Sequence, residues 1–173
     1  GSSQDVGQTV SYNVVIDPIP YYGGSKPRLS VNDTLSAGLS LNAAPTVKVI
    51  SKNSAESTLT AGTDYTYTAK TDNKGFTIDF VVNGTYTLNP YQEGQVVITY
   101  DAILTDAAVY NADPNTNEVT LDYTRDSSTD GGDGSTSSNT YSYTFDITGS
   151  MNGLVSGGII QKTGESTGDT SSP

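Results

Sequence analysis

The sequence predicts an all-β chain folded as an antiparallel sandwich. Three observations carry that expectation: apolar and polar residues alternate in short stretches, turn residues separate the stretches, and long Ala/Leu/Glu/Lys runs of the helical kind are missing. Thr9-Val10-Ser11-Tyr12-Asn13-Val14 alternates and follows the turn residue Gly7. Pro18, Pro20 and Gly23-Gly24 then break the pattern. Leu29 to Leu35 predicts a second strand, closed by Gly38, and Thr46 to Ser51 a third. Asp64 to Thr68 predicts a fourth. Asn73-Lys74-Gly75 reads as a hairpin turn into Phe76 to Val82. Gln95 to Ala102 is the strongest strand signal, followed by Asn117 to Thr124 and Thr140 to Ile147. About eight or nine strands at this spacing suit a sandwich. Ala102 to Tyr110 also tolerates a helical turn.

With 173 residues the chain is long enough for one ordinary domain, and no internal repeat divides it. The expected boundaries are 1–5 as a tag or linker remnant, 6–162 as a single domain and 163–173 as a polar tail. Gly1-Ser2-Ser3 reads as an expression scar, with no signal peptide. Asp126 to Asn139 is rich in Ser, Gly and Asp, and predicts a loop. Its Asp126, Asp130 and Asp133 lack EF-hand spacing and a closing Glu, so a solvated hairpin tip is the better reading than a calcium site.

Composition excludes several chemistries. No Cys means no disulfide and no thiolate metal site, and no His removes the commonest general base and every Ser-His-Asp arrangement. A net charge of -11 repels nucleic-acid phosphates and anionic lipid. No apolar stretch approaches the length of a membrane helix. No metal and no cofactor are expected.

Four segments, in order, carry a family resemblance. They are Val6-Gly7-Gln8-Thr9-Val10-Ser11-Tyr12, then Asn32-Asp33-Thr34-Leu35 with Gly38-Leu39, then Gly94 to Ala102, and Asn117 to Tyr123. Together they resemble the isopeptide-forming D2-type domains of Gram-positive fimbrial and pilin backbones and adhesins. The resemblance implies a Greek-key, immunoglobulin-like sandwich of the CnaA type. It also implies self-crosslinking, in which a lysine amine attacks the side-chain amide of an asparagine and ammonia leaves. Carried over, Asn117 is the acceptor and Asp33 the buried acid. Asp33 also suits a turn or cap, and Asn117 also suits a hydrogen-bonded strand edge. Asn115, after Pro114, reads better as a turn residue. The donor lysine of the family precedes the first strand, where residues 1–5 hold none. Either it lies in preceding sequence or the bond has been lost. Lys26, Lys48, Lys52, Lys70 and Lys74 fall in or beside turns and are expected to face solvent, which leaves Lys162 as a remote candidate donor.

The resemblance implies a non-enzymatic stalk or pilin-type domain, extracellular and anchored to the cell wall through regions outside this chain. Its partners are neighbouring domains or subunits, with no nucleic acid and no membrane span. The expected form has Asp33 beside Asn117, no deep pocket, and termini at opposite ends. The alternative is an adhesin module binding host protein or glycan, with Tyr21-Tyr22, Tyr86 and Tyr91 as an exposed aromatic platform. A two-carboxylate glycosidase is the third reading; nineteen acidic residues make a chance pair unremarkable.

Overall fold

The computed structural model describes residues 6–24, 26–106 and 116–124 in full, and 144–151, 154–155 and 157–164 as strand backbone. The strands are β1 (Thr9–Asp17), β2 (Leu29–Leu35), β3 (Leu39–Leu41), β4 (Thr46–Ile50), β5 (Glu56–Thr58), β6 (Thr66–Ala69), β7 (Gly75–Asp79), β8 (Val81–Val82), β9 (Thr85–Tyr86), β10 (Gln95–Leu104), β11 (Thr116–Tyr123), β12 (Thr144–Met151), β13 (Leu154–Val155) and β14 (Gly157–Gly164). One sheet runs β13-β12-β1-β10-β4-β5, with β3 also on β10; the other runs β14-β11-β2-β7-β6. The chain crosses between sheets and returns to earlier neighbours, so β10 pairs with β1 and β11 with β2 in Greek-key fashion. Pairing is antiparallel except for β14, which runs parallel to β11.

Alternation decides which residues fill the space between the sheets. β1 turns Val10, Tyr12, Val14 and Ile16 inward, and β10 turns Val96, Ile98, Tyr100, Ala102 and Leu104 inward. From the facing sheet come Leu29, Val31 and Leu35 of β2, Phe76 and Ile78 of β7, and Val119, Leu121 and Tyr123 of β11. A period of two places these side chains on one face. Fully burying each of the larger ones contributes about 1.5–3 kcal/mol.

Several sequence expectations shift for local reasons. The strand expected from Asp64 starts at Thr66, because the Asp64 carboxylate accepts the Thr60 N–H at 2.7 Å and stays in the preceding turn. The strand expected through Val82 breaks at Phe80, where Asp79 Oδ1 accepts the Val81 N–H at 2.9 Å. Beyond the break, β8 and β9 form a hairpin on Asn83-Gly84, whose φ angles of 50° and 81° fit a type I′ turn. The helical turn expected from Ala102 is not formed at its start: Ala102 to Leu104 continue β10, and Gly7 N–H and Leu104 C=O bond at 2.8 Å. Residues 107–110, the expected remnant 1–5, Asn115, the loop 126–139 and the tail beyond Gly164 lie outside the described residues. The tyrosine platform is not formed either. Tyr22 and Tyr86 are buried and pack edge to face, ring centroids 5.0 Å apart, while Tyr86 Oη donates to Pro20 C=O at 2.7 Å. Of the proposed rings only Tyr21 is strongly exposed, with Tyr91 packed partly against the core.

Gly75 opens β7 at φ 130°, where an added Cβ would lie 2.0 Å from the Asp33 carbonyl oxygen. Backbone cannot yield that space. Gly75→Ala is expected to destabilise the fold by about 3 kcal/mol or more. Gly84→Ala, at φ 81° with open space around it, should cost only about 1–2 kcal/mol. Urea midpoints of the two variants check the contrast.

Candidate functional site

Two polar side chains stand within the inward-facing series of the second sheet. Asp33 is in phase with Leu29, Val31 and Leu35 on β2, and Asn117 with Val119, Leu121 and Tyr123 on β11. Both are fully buried. Asp33 pairs with Val119 and Asn117 with Leu35, so the two polar residues are diagonal neighbours on adjacent strands. The expectation placed both residues at one site, and they do share it.

A third residue joins them from the facing sheet. Tyr100 pairs with Tyr12 across β10 and β1, and their rings stack at 5.5 Å. Its ring meets Phe76 edge to face at 4.8 Å. These contacts leave the phenol one direction, across the core. Tyr100 Oη donates to Asp33 Oδ1 at 2.6 Å and accepts from Asn117 Nδ2 at 2.8 Å. Tyr100 lies within the Gly94 to Ala102 segment, which by itself gives it no role. A usable signal was there, since a buried tyrosine hydroxyl needs a partner and Tyr100 is in phase with Val96 and Ile98.

Two oxygens at this site have no hydrogen-bond partner among the described residues: Asp33 Oδ2 and Asn117 Oδ1. Both are acceptors when Asp33 is ionised, and an unmet buried acceptor costs about 1–3 kcal/mol. A proton on Asp33 Oδ2 turns one of them into a donor. The electrostatics agree. Burial pushes the Asp33 carboxyl up from 3.8 to about 6, against the hydrogen bond from Tyr100, the polar side chain of Asn117 and the charge of Lys70, which lower it. Burial, reinforced by Asp33, also raises Tyr100 well above 10, so its hydroxyl stays a neutral donor.

The five lysines whose side chains are described lie elsewhere. Lys26 is exposed; Lys48 pairs with Glu56 at 3.4 Å and Lys52 with Glu93 at 4.0 Å. Lys70 and Lys74 are only half exposed, which corrects the expectation that they face open solvent. Lys70 Nζ donates to Thr34 Oγ1 at 2.7 Å on the outer face of β2, opposite to Asp33. Burial lowers the Lys70 pKa, while Asp33 and Glu118 raise it. Lys74 Nζ donates to the carbonyls of Ala37 and Leu39. The β14 register sets Lys162 beside Leu121, four residues along from Gly158, the neighbour of Asn117. That offset is roughly 13 Å of strand, about twice the reach of a lysine side chain.

Hydrogen bonds gather four chain segments at the Asn117 end. Gly7 N–H binds Leu104 C=O, Thr105 N–H binds Gly38 C=O, and Ser36 N–H binds Thr116 C=O. On the outer face, a cavity of about 190 Å³ is lined by Arg28, Ser30, Asp79 and Asp122 among others. Its two carboxylates are engaged: Asp79 by Val81 N–H, and Asp122 by Arg28 at 3.6 Å. No cluster of metal-ligating side chains occurs among the described residues.

Residues 6–127 match the profile of the Gram-positive pilin backbone subunit 2, Cna-B-like domain. The chain belongs to that family. It is 31% identical to the pilus backbone RrgB of Streptococcus pneumoniae, with a TM-score of 0.52 over 69% of this chain and 25% of that one. Against the full-length RrgB structure the values are 29% and 0.51, covering 73% of this chain and 19% of the other. The chain thus spans about a quarter or less of these relatives. The collagen-binding subdomain ACE19 of an Enterococcus faecalis surface protein shares the fold at 15% identity and a TM-score of 0.51, covering 85% and 88%. No curated protein matches the chain. The family comprises structural pilus-backbone domains displayed outside Gram-positive cells, and no helix among the described residues is long and apolar enough to cross a membrane.

The raised Asp33 pKa has a signed consequence. The folded state holds the proton up to about pH 6 and the unfolded state only to 3.8. Stability from this group is greatest below 3.8, falls between 3.8 and 6, and then levels, a total loss of about 3 kcal/mol. Asp33→Asn removes this titration. Between pH 4 and 7 the wild-type urea midpoint should fall relative to that of the variant; parallel profiles would contradict the buried acid.

Proposed function

We propose that this chain is a stalk domain of a pilus or related surface fibre, in which Asp33 and Asn117 form the acceptor half of an autocatalytic Lys–Asn isopeptide bond. The supporting observation is the pair of orphaned oxygens, Asp33 Oδ2 and Asn117 Oδ1, buried side by side. A protonated Asp33 donates to Asn117 Oδ1, draws electron density from Cγ and exposes that carbon to attack. A lysine desolvated in the same core is neutral and nucleophilic. The amine nitrogen bonds to Cγ, the Cγ–Nδ2 bond breaks, and ammonia leaves with a proton originating from the amine. Each chain reacts once.

The donor is a lysine entering the sandwich before Val6. The bonds that gather the start of β1 and the start of β11 at one end favour this route. A tie across roughly a hundred residues restricts the unfolded chain as a disulfide does, by about 4–5 kcal/mol, and it cannot be reduced. That suits a cysteine-free domain outside the cell. Its partners are the neighbouring domains or subunits of the fibre, with cell-wall attachment supplied by other regions.

Intact mass decides the matter. A chain extended at its N-terminus through the preceding lysine should be lighter than calculated by one ammonia. Asn117→Ala and Asp33→Ala in that background should show their calculated masses. An extended wild-type chain at its full calculated mass would overturn the crosslink.

A further inference from the structure

We propose that Tyr100 is the proton relay of this site, orienting the Asn117 amide and handing a proton to its departing nitrogen. The inference rests on the acceptor role of Asn117 and adds a residue to which no role has been given.

The geometry sets the amide first. A tyrosine hydroxyl has one proton to donate, and Tyr100 gives it to Asp33 Oδ1 at 2.6 Å. Only its lone pairs remain for Asn117, so the amide must present Nδ2, which it does at 2.8 Å. Asn117 Oδ1 is thereby turned away from Tyr100 and left for a proton on Asp33 Oδ2. The phenol thus distinguishes the two ends of the amide. The stacked Tyr12 and edge-on Phe76 rings hold the phenol in place.

The same hydroxyl then faces the atom that must leave. Amide nitrogen is a poor leaving group because it departs as an anion unless protonated. As the amine adds to Cγ, Nδ2 loses amide resonance, becomes pyramidal and gains a basic lone pair. Tyr100 Oη, already within hydrogen-bond distance, donates its proton to that lone pair. As the amine adds, Asp33 Oδ2 gives its proton to Asn117 Oδ1, and the carboxylate takes the proton released by the amine and passes it from Oδ1 to the phenolate. When the carbonyl re-forms, Asn117 Oδ1 returns its proton to Asp33 Oδ2. The new C–N bond replaces the old one, ammonia departs, and Tyr100 and Asp33 end unchanged. Desolvation and the adjacent acid favour a phenol that never persists as phenolate, so proton transfer is coupled to bond cleavage.

Tyr100→Phe separates relay from packing, because the two predict opposite signs. Removing the hydroxyl removes a hydrogen bond that lowers the Asp33 pKa, so more Asp33 is protonated near neutrality. If Asp33 alone activates the amide, the variant reacts as fast or faster. If Tyr100 relays the proton, ammonia release slows by about a hundredfold despite the better-protonated acid. The rate is read by intact mass in the lysine-extended chain, and the Asp33 titration by carboxyl NMR in the present chain. A slower Phe variant with a raised Asp33 titration supports the inference. An equal or faster rate overturns it, as does an unmoved Asp33 titration, which needs no crosslink to observe. An inert extended wild type removes the crosslink and the relay together, whereas an active wild type with an active Phe variant removes the relay alone. If the Phe variant does not fold, a ring-fluorinated tyrosine placed at Tyr100 keeps the shape and makes the phenol more acidic. A relay then predicts an altered pH dependence of the rate, and an unchanged profile overturns it.

Discussion

Everything at the centre of this domain depends on hiding a carboxyl and a carboxamide between two sheets and giving them a single hydroxyl to share. Asp33, Asn117 and Tyr100 have five side-chain oxygen and nitrogen atoms among them, and the pairings found use only one face of each terminal group. The two oxygens left over would cost the fold several kcal/mol as bare acceptors. Burial itself supplies the remedy by favouring a protonated Asp33. In the proposed crosslink, the penalty of an unsatisfied core and the activation of an amide would be one electrostatic fact seen from two sides. A core that put Leu at either position would remove that penalty together with the groups the proposed crosslink uses.

The rest of the sandwich serves that arrangement. Gly75 lets β7 approach β2 so closely that the Asp33 backbone occupies the space of a side chain. Phe76 beside it supplies the ring edge against which Tyr100 rests. Tyr12 covers the other face of that phenol. Three elements from two sheets therefore fix one oxygen atom, and an error in any of their registers would turn the phenol away.

Much of this was legible in the sequence because a strand repeats every two residues. Asp33 shares the parity of Leu29, Val31 and Leu35, and Asn117 that of Val119, Leu121 and Tyr123, so both were readable as inward-facing polar residues. The order of motifs gave the family, and with it the expectation that the two side chains meet. Tyr100 had the same inward parity, but which of the many buried tyrosines would reach the pair depends on how the sheets stack, and no local pattern encodes that. The short strands escaped for another reason. β5 is exposed and polar along its whole length, so it carries no alternation, and it forms only because β4 offers it an edge. Asn83-Gly84 was a readable hairpin signal that the long apolar run Phe76 to Val82 obscured. The tyrosines of the expected platform failed because an aromatic ring beside Gly and Pro fits equally well under a loop as on top of it. Tyr22 and Tyr86 found hydrogen-bond partners there, in Thr124 and Pro20.

The parallel pairing of β14 with β11 determines how the domain meets a pulling force. β1 begins at the end of the sandwich where Leu104 and Thr116 lie, and β14 finishes beside Tyr123 at the opposite end. Tension applied between those two points runs along the strands. The inter-strand hydrogen bonds of β11 and β14 are then loaded in shear, many at once, and the strands cannot open one bond at a time as a zipper does. A covalent link near Asn117 would sit at the entry point of that load, so force would meet the link before it reached most of the sheet.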